Sequence, residues 1–323
     1  MNSSLRRKVL AGVRLAAVVA SSYAVAAHAD PISILFVGNS FTFGEPAGGP
    51  PVVEHYRVGS VTDLNNEGIG GVPALFKQMT VEAGLNYAVS LETHPGVGLD
   101  WHYQNALAKI DKPWDQVVLQ SYSTLDGSHP GNPALLIQYT GIFSNFLHAQ
   151  NPNVDIHLDA TWSRADQTYL PTGHWYGDSI WQMQRDVRAG YNAAKAATPG
   201  VDDVIQVGQG FARTWETGFA DTNPYDGITP GEVNMWAPDS YHASIFGYFL
   251  EALMEFGDIT GVDPLLLGFD QVAMDLGITA AQAFALETIA SQTLAGIPEP
   301  ETIALLLIGV VGAGLASRRR RSA

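Results

Sequence analysis

Cysteine is absent from the 323 residues, which excludes disulfides, thiolate metal sites and a cysteine nucleophile. Basic residues are scarce: 17 Lys and Arg stand against 32 Asp and Glu, a net charge of −15. The imbalance is sharper in the body of the chain, because Arg6, Arg7, Lys8 and Arg14 lie at one end and Arg318, Arg319, Arg320 and Arg321 at the other. Residues 30–296 carry 30 acidic against 9 basic groups, a net of −21. Such a field disfavours nucleic acid and anionic membrane surfaces as partners. Metal-ligand spacings are also missing. No H-E-x-x-H or similar run occurs, and Asp63-x-Asn65-x-Glu67-Gly68 opens like a calcium loop but has Ala74 where the twelfth position needs Glu. No metal and no cofactor is therefore expected.

What is present is an apolar fraction of 46% with 15% charged residues, enough to bury one large α/β core or two small ones. At the N-terminus, the basic residues precede an apolar stretch, Leu15 to Ala26, and then Ala27-His28-Ala29. A basic region, a short apolar core and small residues at an A-x-A site make a secretory signal over residues 1–29, to be cut before Asp30 by signal peptidase. At the other end, Pro298-Glu299-Pro300 precedes an apolar run from Thr302 to Ala316 and then the four arginines. These parts, in this order, resemble the PEP-CTERM sorting tails of exported bacterial proteins. The resemblance implies that residues 297–323 form a transient anchor, a transmembrane helix removed by a dedicated sorting protease. The run is 15 residues long, and at ~1.5 Å each it reaches ~22 Å, short of a ~30 Å hydrocarbon core. It spans marginally, with its arginines on the cytoplasmic side. The expected place of the protein is the cell envelope, the cell surface or the medium, with membrane contact only through the terminal segments.

Between the ends, short β-rich runs alternate with helical patterns. The strand candidates are Ile32–Val37, Tyr87–Glu92, Gln116–Gln120, Val154–Asp159 and Asp203–Val207. Helical patterns cover Pro73–Ala83, Trp101–Lys109, Pro133–Ala149, Ser179–Ala197, Ala243–Phe256 and Ala280–Leu294. The alternation predicts βαβ units and a parallel sheet covered on both faces, and no linker splits residues 30–296. Two stretches, Phe43–Gly71 and Phe211–Pro238, are rich in Gly and Pro and read as long loops.

Ligands of open α/β sheets bind beyond the carboxyl ends of the strands. There the first strand gives Val37-Gly38-Asn39-Ser40-Phe41-Thr42. Far along the chain, Pro238-Asp239-Ser240-Tyr241-His242 precedes an apolar helical pattern. Alone, Ser40 is explained as a turn or cap residue, and Asp239 as an N-cap. Together, Gly38-Asn39-Ser40 and Asp239-x-x-His242 resemble the G-D-S and D-x-x-H blocks of the SGNH (GDSL-like) hydrolases, in order and in context, across most of residues 32–261. The resemblance implies a flavodoxin-like three-layer α/β/α sandwich with a five-stranded parallel sheet, Ser40 as nucleophile, His242 as base and Asp239 as its orienting carboxylate. It also implies an oxyanion hole from Ser40, a glycine of the second block and an amide of the third. Gly98, after the second strand candidate, suits the second block better than Gly70. The third block's G-x-N-D is absent, and Gln120 in Leu119-Gln120-Ser121 stands in for its Asn. Asn39 replaces the usual Asp, which keeps hydrogen bonding and loses the charge.

His94 and His102 flank the presumed oxyanion loop; each is more simply a surface or core histidine than a substrate contact. Trp162, Trp175, Trp181, Trp215 and Trp236 suit carbohydrate stacking, yet aromatics more often fill cores. The expected function is an exported serine ester hydrolase acting on an ester substrate such as an O-acetyl group of extracellular polysaccharide. The rival is a non-catalytic surface or matrix protein that binds glycan on the same fold.

Overall fold

The computed structural model describes residues 30–296; the expected signal and sorting tail lie outside them. The architecture starts from β1 (Ile32–Gly38), in which Ile34, Leu35, Phe36 and Val37 are all fully buried. A strand that is apolar at every position has no face for solvent and must be covered on both sides. Alternation sends Ile34 and Phe36 to one face and Leu35 and Val37 to the other, and the two pairs belong to separate apolar cores. With β2 (Thr62–Asp63), β3 (Tyr87–Thr93), β4 (Gln116–Leu119), β5 (Asp155–Asp159) and β6 (Asp203–Ile205) it forms a six-stranded parallel sheet in the order β2-β3-β1-β4-β5-β6. Five of these strands match the sequence pattern. The sixth is a correction: β2 pairs only Thr62 with Ser90 and Asp63 with Leu91. Two residues cannot display a period, and these lie inside the Gly- and Pro-rich stretch that reads as a loop.

The helices, in chain order, are α1 (Ser40–Phe43), α2 (Gly71–Glu82), α3 (Leu99–Asn105), α4 (Leu107–Ile110), α5 (Ala134–Gln150), α6 (Ala165–Tyr169), α7 (Ile180–Ala197), α8 (Val207–Glu216), α9 (Ile245–Thr260), α10 (Gln271–Leu276) and α11 (Ala280–Leu294). The Phe36 face packs against α2, α8, α9 and α11, while α3, α5 and α7 cover the Leu35 face. The result is a three-layer sandwich. Helix α8 is a second correction, since it takes in the start of the presumed loop from Phe211. Gly208 and Gly210 disguise it in the sequence, but Val207, Phe211 and Trp215 recur at helical spacing and are buried. Each such aromatic contributes ~2–3 kcal/mol of burial, more than two glycines cost. A Cβ at Gly208 would strike the Gln184 amide and the Thr161 carbonyl at 2.3–2.4 Å, so close packing explains the small residue. Among the described residues no helix is long and apolar enough to cross a membrane.

From β1 the chain runs outward to β2 and β3, then returns past β1 to form β4. The direction of winding therefore switches between β1 and β4, which opens a crevice at their carboxyl ends.

Candidate active site

Ser40 stands two residues beyond the end of β1, after Asn39, and is the first residue of α1. Asn39 caps that turn by accepting the Phe41 N–H at 3.1 Å. Its Nδ2 donates to the Val97 carbonyl at 2.8 Å and the Ser121 carbonyl at 3.2 Å. These bonds tie the segments after β1, β3 and β4 together. The amide at position 39 is thus fitted to its surroundings: a carboxylate could accept from Phe41 but would face two carbonyl oxygens with no proton to give. Gly38 is required by crowding, because a Cβ there would meet Thr42 Oγ1 at 2.1 Å and Gln120 Oε1 at 2.7 Å. The Ser40 side chain takes part in no hydrogen bond among the described residues, and Ser40 is almost fully buried. Its N–H, in the first turn of a helix, has no carbonyl within the helix to bond.

The second turn lies just ahead of α9. Asp239 accepts the N–H groups of Tyr241 and His242 through Oδ1, both at 3.0 Å, while Oδ2 meets His242 Nδ1 at 2.6 Å. Burial pushes the Asp239 carboxyl up, but the hydrogen bonds from His242 and Tyr241 outweigh it and hold the group below the usual carboxylate range. Because an ionised carboxylate only accepts, Nδ1 is the nitrogen that donates to Asp239, and Nε2 is the one left over. That Nε2 is buried and has no hydrogen-bond partner. Ser240 makes the turn possible at φ 58°, a left-handed conformation that costs a non-glycine residue ~1–2 kcal/mol. Hydrogen bonds from Ser240 N–H to Ala237 O and from Asp166 N–H to Ser240 O hold it there.

Phe41, the neighbour of Ser40, lies 5.7 Å from the His242 ring between centroids. Tyr248 of α9 directs its hydroxyl to the carbonyls of Ser40 at 3.3 Å and Glu45 at 3.1 Å. The two turns are therefore packed on one another. Sequence reasoning missed the residues that fix the imidazole plane: Tyr241 stacks on His242 at 4.0 Å, and the Arg164 guanidinium sits 3.4 Å over the other partner of that stack, the Tyr241 ring. A bidentate pair with Asp166 anchors Arg164 in turn. Beside the turns lies an apolar cavity of about 330 Å³, lined by Gly44, Pro46, Val53, Trp236, Ala243 and Tyr248 among others.

The expected oxyanion groups fare differently. Gly98 caps α3 next to Ser121, and the Tyr122 ring covers it so closely that a Cβ would meet ring carbons at 2.4 Å. Gly70 gives its N–H to Glu54 O at 2.8 Å. Gln120 is fully buried with both amide atoms engaged: Oε1 accepts from Asn39 N–H at 2.8 Å and Thr42 Oγ1 at 3.2 Å, and Nε2 donates to Ser121 O. The free side-chain donor that the family pattern suggests is already spent on the loops behind Ser40. His94 stacks on Trp101 at 4.1 Å, and His102 is buried against Glu92. Trp162, Trp175, Trp215 and Trp236 are core residues, leaving Trp181 partly exposed. The Asp63 carboxylate accepts the N–H groups of Asn65, Glu67, Gly68 and Ile69 and so organises its own loop.

Residues 296–321 match the PEP-CTERM protein-sorting motif. The chain carries a PEP-CTERM sorting motif. No curated protein matches the sequence. Among solved structures, a DUF4886 family protein from Bacteroides uniformis is 16% identical, with a TM-score of 0.58 over 84% of this chain and 99% of that one. A protein from Slackia heliotrinireducens described as an SGNH hydrolase is 17% identical, with a TM-score of 0.46 over 71% and 100% of the two chains. The family 3 carbohydrate esterase of Clostridium thermocellum is 15% identical, with a TM-score of 0.43 over 70% and 94%. The first of these likenesses shows a shared fold.

Proposed function

We propose that the PEP-CTERM-tailed chain is an exported serine ester hydrolase, made with a signal over residues 1–29, a hydrolase domain over 30–296 and a sorting tail over 297–323. The observation that carries this reading is the Asp239–His242 pair, whose Nε2 is left unpartnered and whose ring packs on Phe41 in the turn that begins at Ser40. In that arrangement His242 takes the Ser40 proton as Oγ attacks an ester carbonyl, and returns it to the departing alkoxide. The acyl group stays on Ser40 until water, activated by the same imidazole, releases it. Asp239 holds the tautomer and stabilises the imidazolium. For the oxyanion we assign the Ser40 N–H, joined by the Gly98 N–H once it turns from the Tyr122 hydroxyl to which it donates, and we give Gln120 a positioning role through Asn39.

An O-acetyl group on exported polysaccharide fits the sorting tail, and the apolar cavity beside the two turns leaves room for a larger hydrocarbon portion of an ester. The rival reading, a glycan-binding protein without activity, keeps the fold but gives no reason for an Asp-oriented imidazole packed on the ring of Phe41, the neighbour of Ser40. Labelling by a fluorophosphonate probe separates them. The folded chain should label, Ser40→Ala should not, and His242→Ala should lose ester turnover by several orders of magnitude because base and nucleophile act as a unit. Folded wild-type protein that resists the probe would leave the binder as the better account.

A further inference from the structure

Away from the candidate active site, three carboxylates meet in the core between β5 and α9. Asp159 is the last residue of β5; Glu251 and Glu255, four apart, share one face of α9. Oxygens from all three lie within 4.8 Å of one another. Their exposures are 1%, 0% and 1%. Both oxygens of Asp159, both of Glu251 and Oε2 of Glu255 are buried and receive no hydrogen bond from outside the group, and Asp159 and Glu251 lie close enough to share a proton between them. No Lys, Arg or His acts on any of the three.

The same strand and helix show how the chain treats a buried acid when a donor is at hand. Two residues earlier on that face of β5, His157 bonds Asp203 at 2.7 Å and approaches Asp258 of α9 at 3.9 Å. The Asp159 group has no such partner, and an uncompensated ion costs several kcal/mol in a protein interior. Burial, then the charges of Asp159 and Glu255, push the Glu251 carboxyl well above its ordinary range. Either protons or a cation must neutralise the group.

We propose that Asp159, Glu251 and Glu255 hold a calcium ion that clamps α9 to the sheet. An all-oxygen donor set selects a hard cation. Three carboxylates can supply six oxygens, within the six to eight that calcium takes at ~2.3–2.6 Å, and oxygens on one such ion are separated by no more than ~5 Å, as these are. Magnesium retains several waters, which suits this closed, fully buried group less well. Sequence spacing could not reveal the site because its ligands come from a strand and a helix far apart in the chain. The inference does not depend on the hydrolase reading. It concerns the support of α9, whose first turn follows His242.

The test uses the mature chain, refolded with calcium and then dialysed against a chelator. Elemental analysis should find one calcium per chain before dialysis. The chelator should lower Tm by on the order of 10 °C, and added calcium, but not magnesium, should restore it. The double variant Glu251→Gln/Glu255→Gln should bind no calcium and melt at one temperature in calcium and in chelator. Wild-type protein that is metal-free, with a Tm unmoved by calcium, would overturn the proposal and leave shared protons as the neutralising agent. Restoration by magnesium or manganese alone would overturn the choice of calcium. Both readouts on the wild-type chain stand even if the variant fails to fold.

Discussion

Asn39 does three things at once: it caps α1, bonds Val97 O and bonds Ser121 O. Asn39→Asp keeps the cap and sets a carboxylate against two carbonyl oxygens, at about 1–3 kcal/mol for each buried group left unsatisfied. It should lower Tm by several degrees and reduce ester turnover about tenfold or more, as melting curves and steady-state kinetics would show; a variant as stable and active as wild type would contradict this account. The result also bears on what a sequence can disclose about single residues. The places of Ser40, Asp239 and His242 at a strand end and ahead of a helix were legible because each sits at a fixed offset from such an element. The partners of Gln120 were not, since the orientation of its amide is dictated by Asn39 N–H, Thr42 and Ser121 O, which reach it only through the tertiary fold.

At the level of elements, long periodic segments were readable and short or glycine-bearing ones were not. Helix α11 spans the residues its pattern predicts, Ala280–Leu294, because a capping box fixes its start and Ala283, Leu286, Glu287 and Ala290 recur at helical spacing on its buried side. Helix α8 was hidden by Gly208 and Gly210, and α6 by its length of five residues. The loop before α9 was read for its Asp and His alone, although the stack of Arg164, Tyr241 and His242 is what sets the imidazole plane. Tyr241→Ala should therefore lower kcat about tenfold with a smaller change in KM, since a loosened catalytic group is misplaced rather than absent. Tyr241→Phe, which keeps the ring, should behave like wild type. Equal kcat in the alanine variant would show that Asp239 alone suffices to orient His242.

For the whole molecule, the acidic excess has a consequence for stability. Asp270, capping α10, and Glu287 of α11 are buried at 2% and 1% exposure. Burial pushes them up to about 6 and about 7, and the charge of Asp270 adds to the rise at Glu287. Both pKa values are raised above those of the unfolded chain, so the native state holds protons that the unfolded state has released. Their contribution is complete below about pH 4 and is lost as pH rises to about 7, with no further loss beyond. Tm should fall between pH 5 and pH 8, and Glu287→Gln should flatten that slope and raise Tm at pH 8; a Tm that climbs over this range would refute the argument. The two margins of the sheet carry a different consequence. One is β2, of two residues, and the other is β6, of three, with Asp203 at its start. Long flat margins are templates on which a second chain can add a strand, and very short or charged ones deny it that purchase. A sheet with no disulfide to hold its domain closed thus offers neighbouring chains almost no backbone to zip onto.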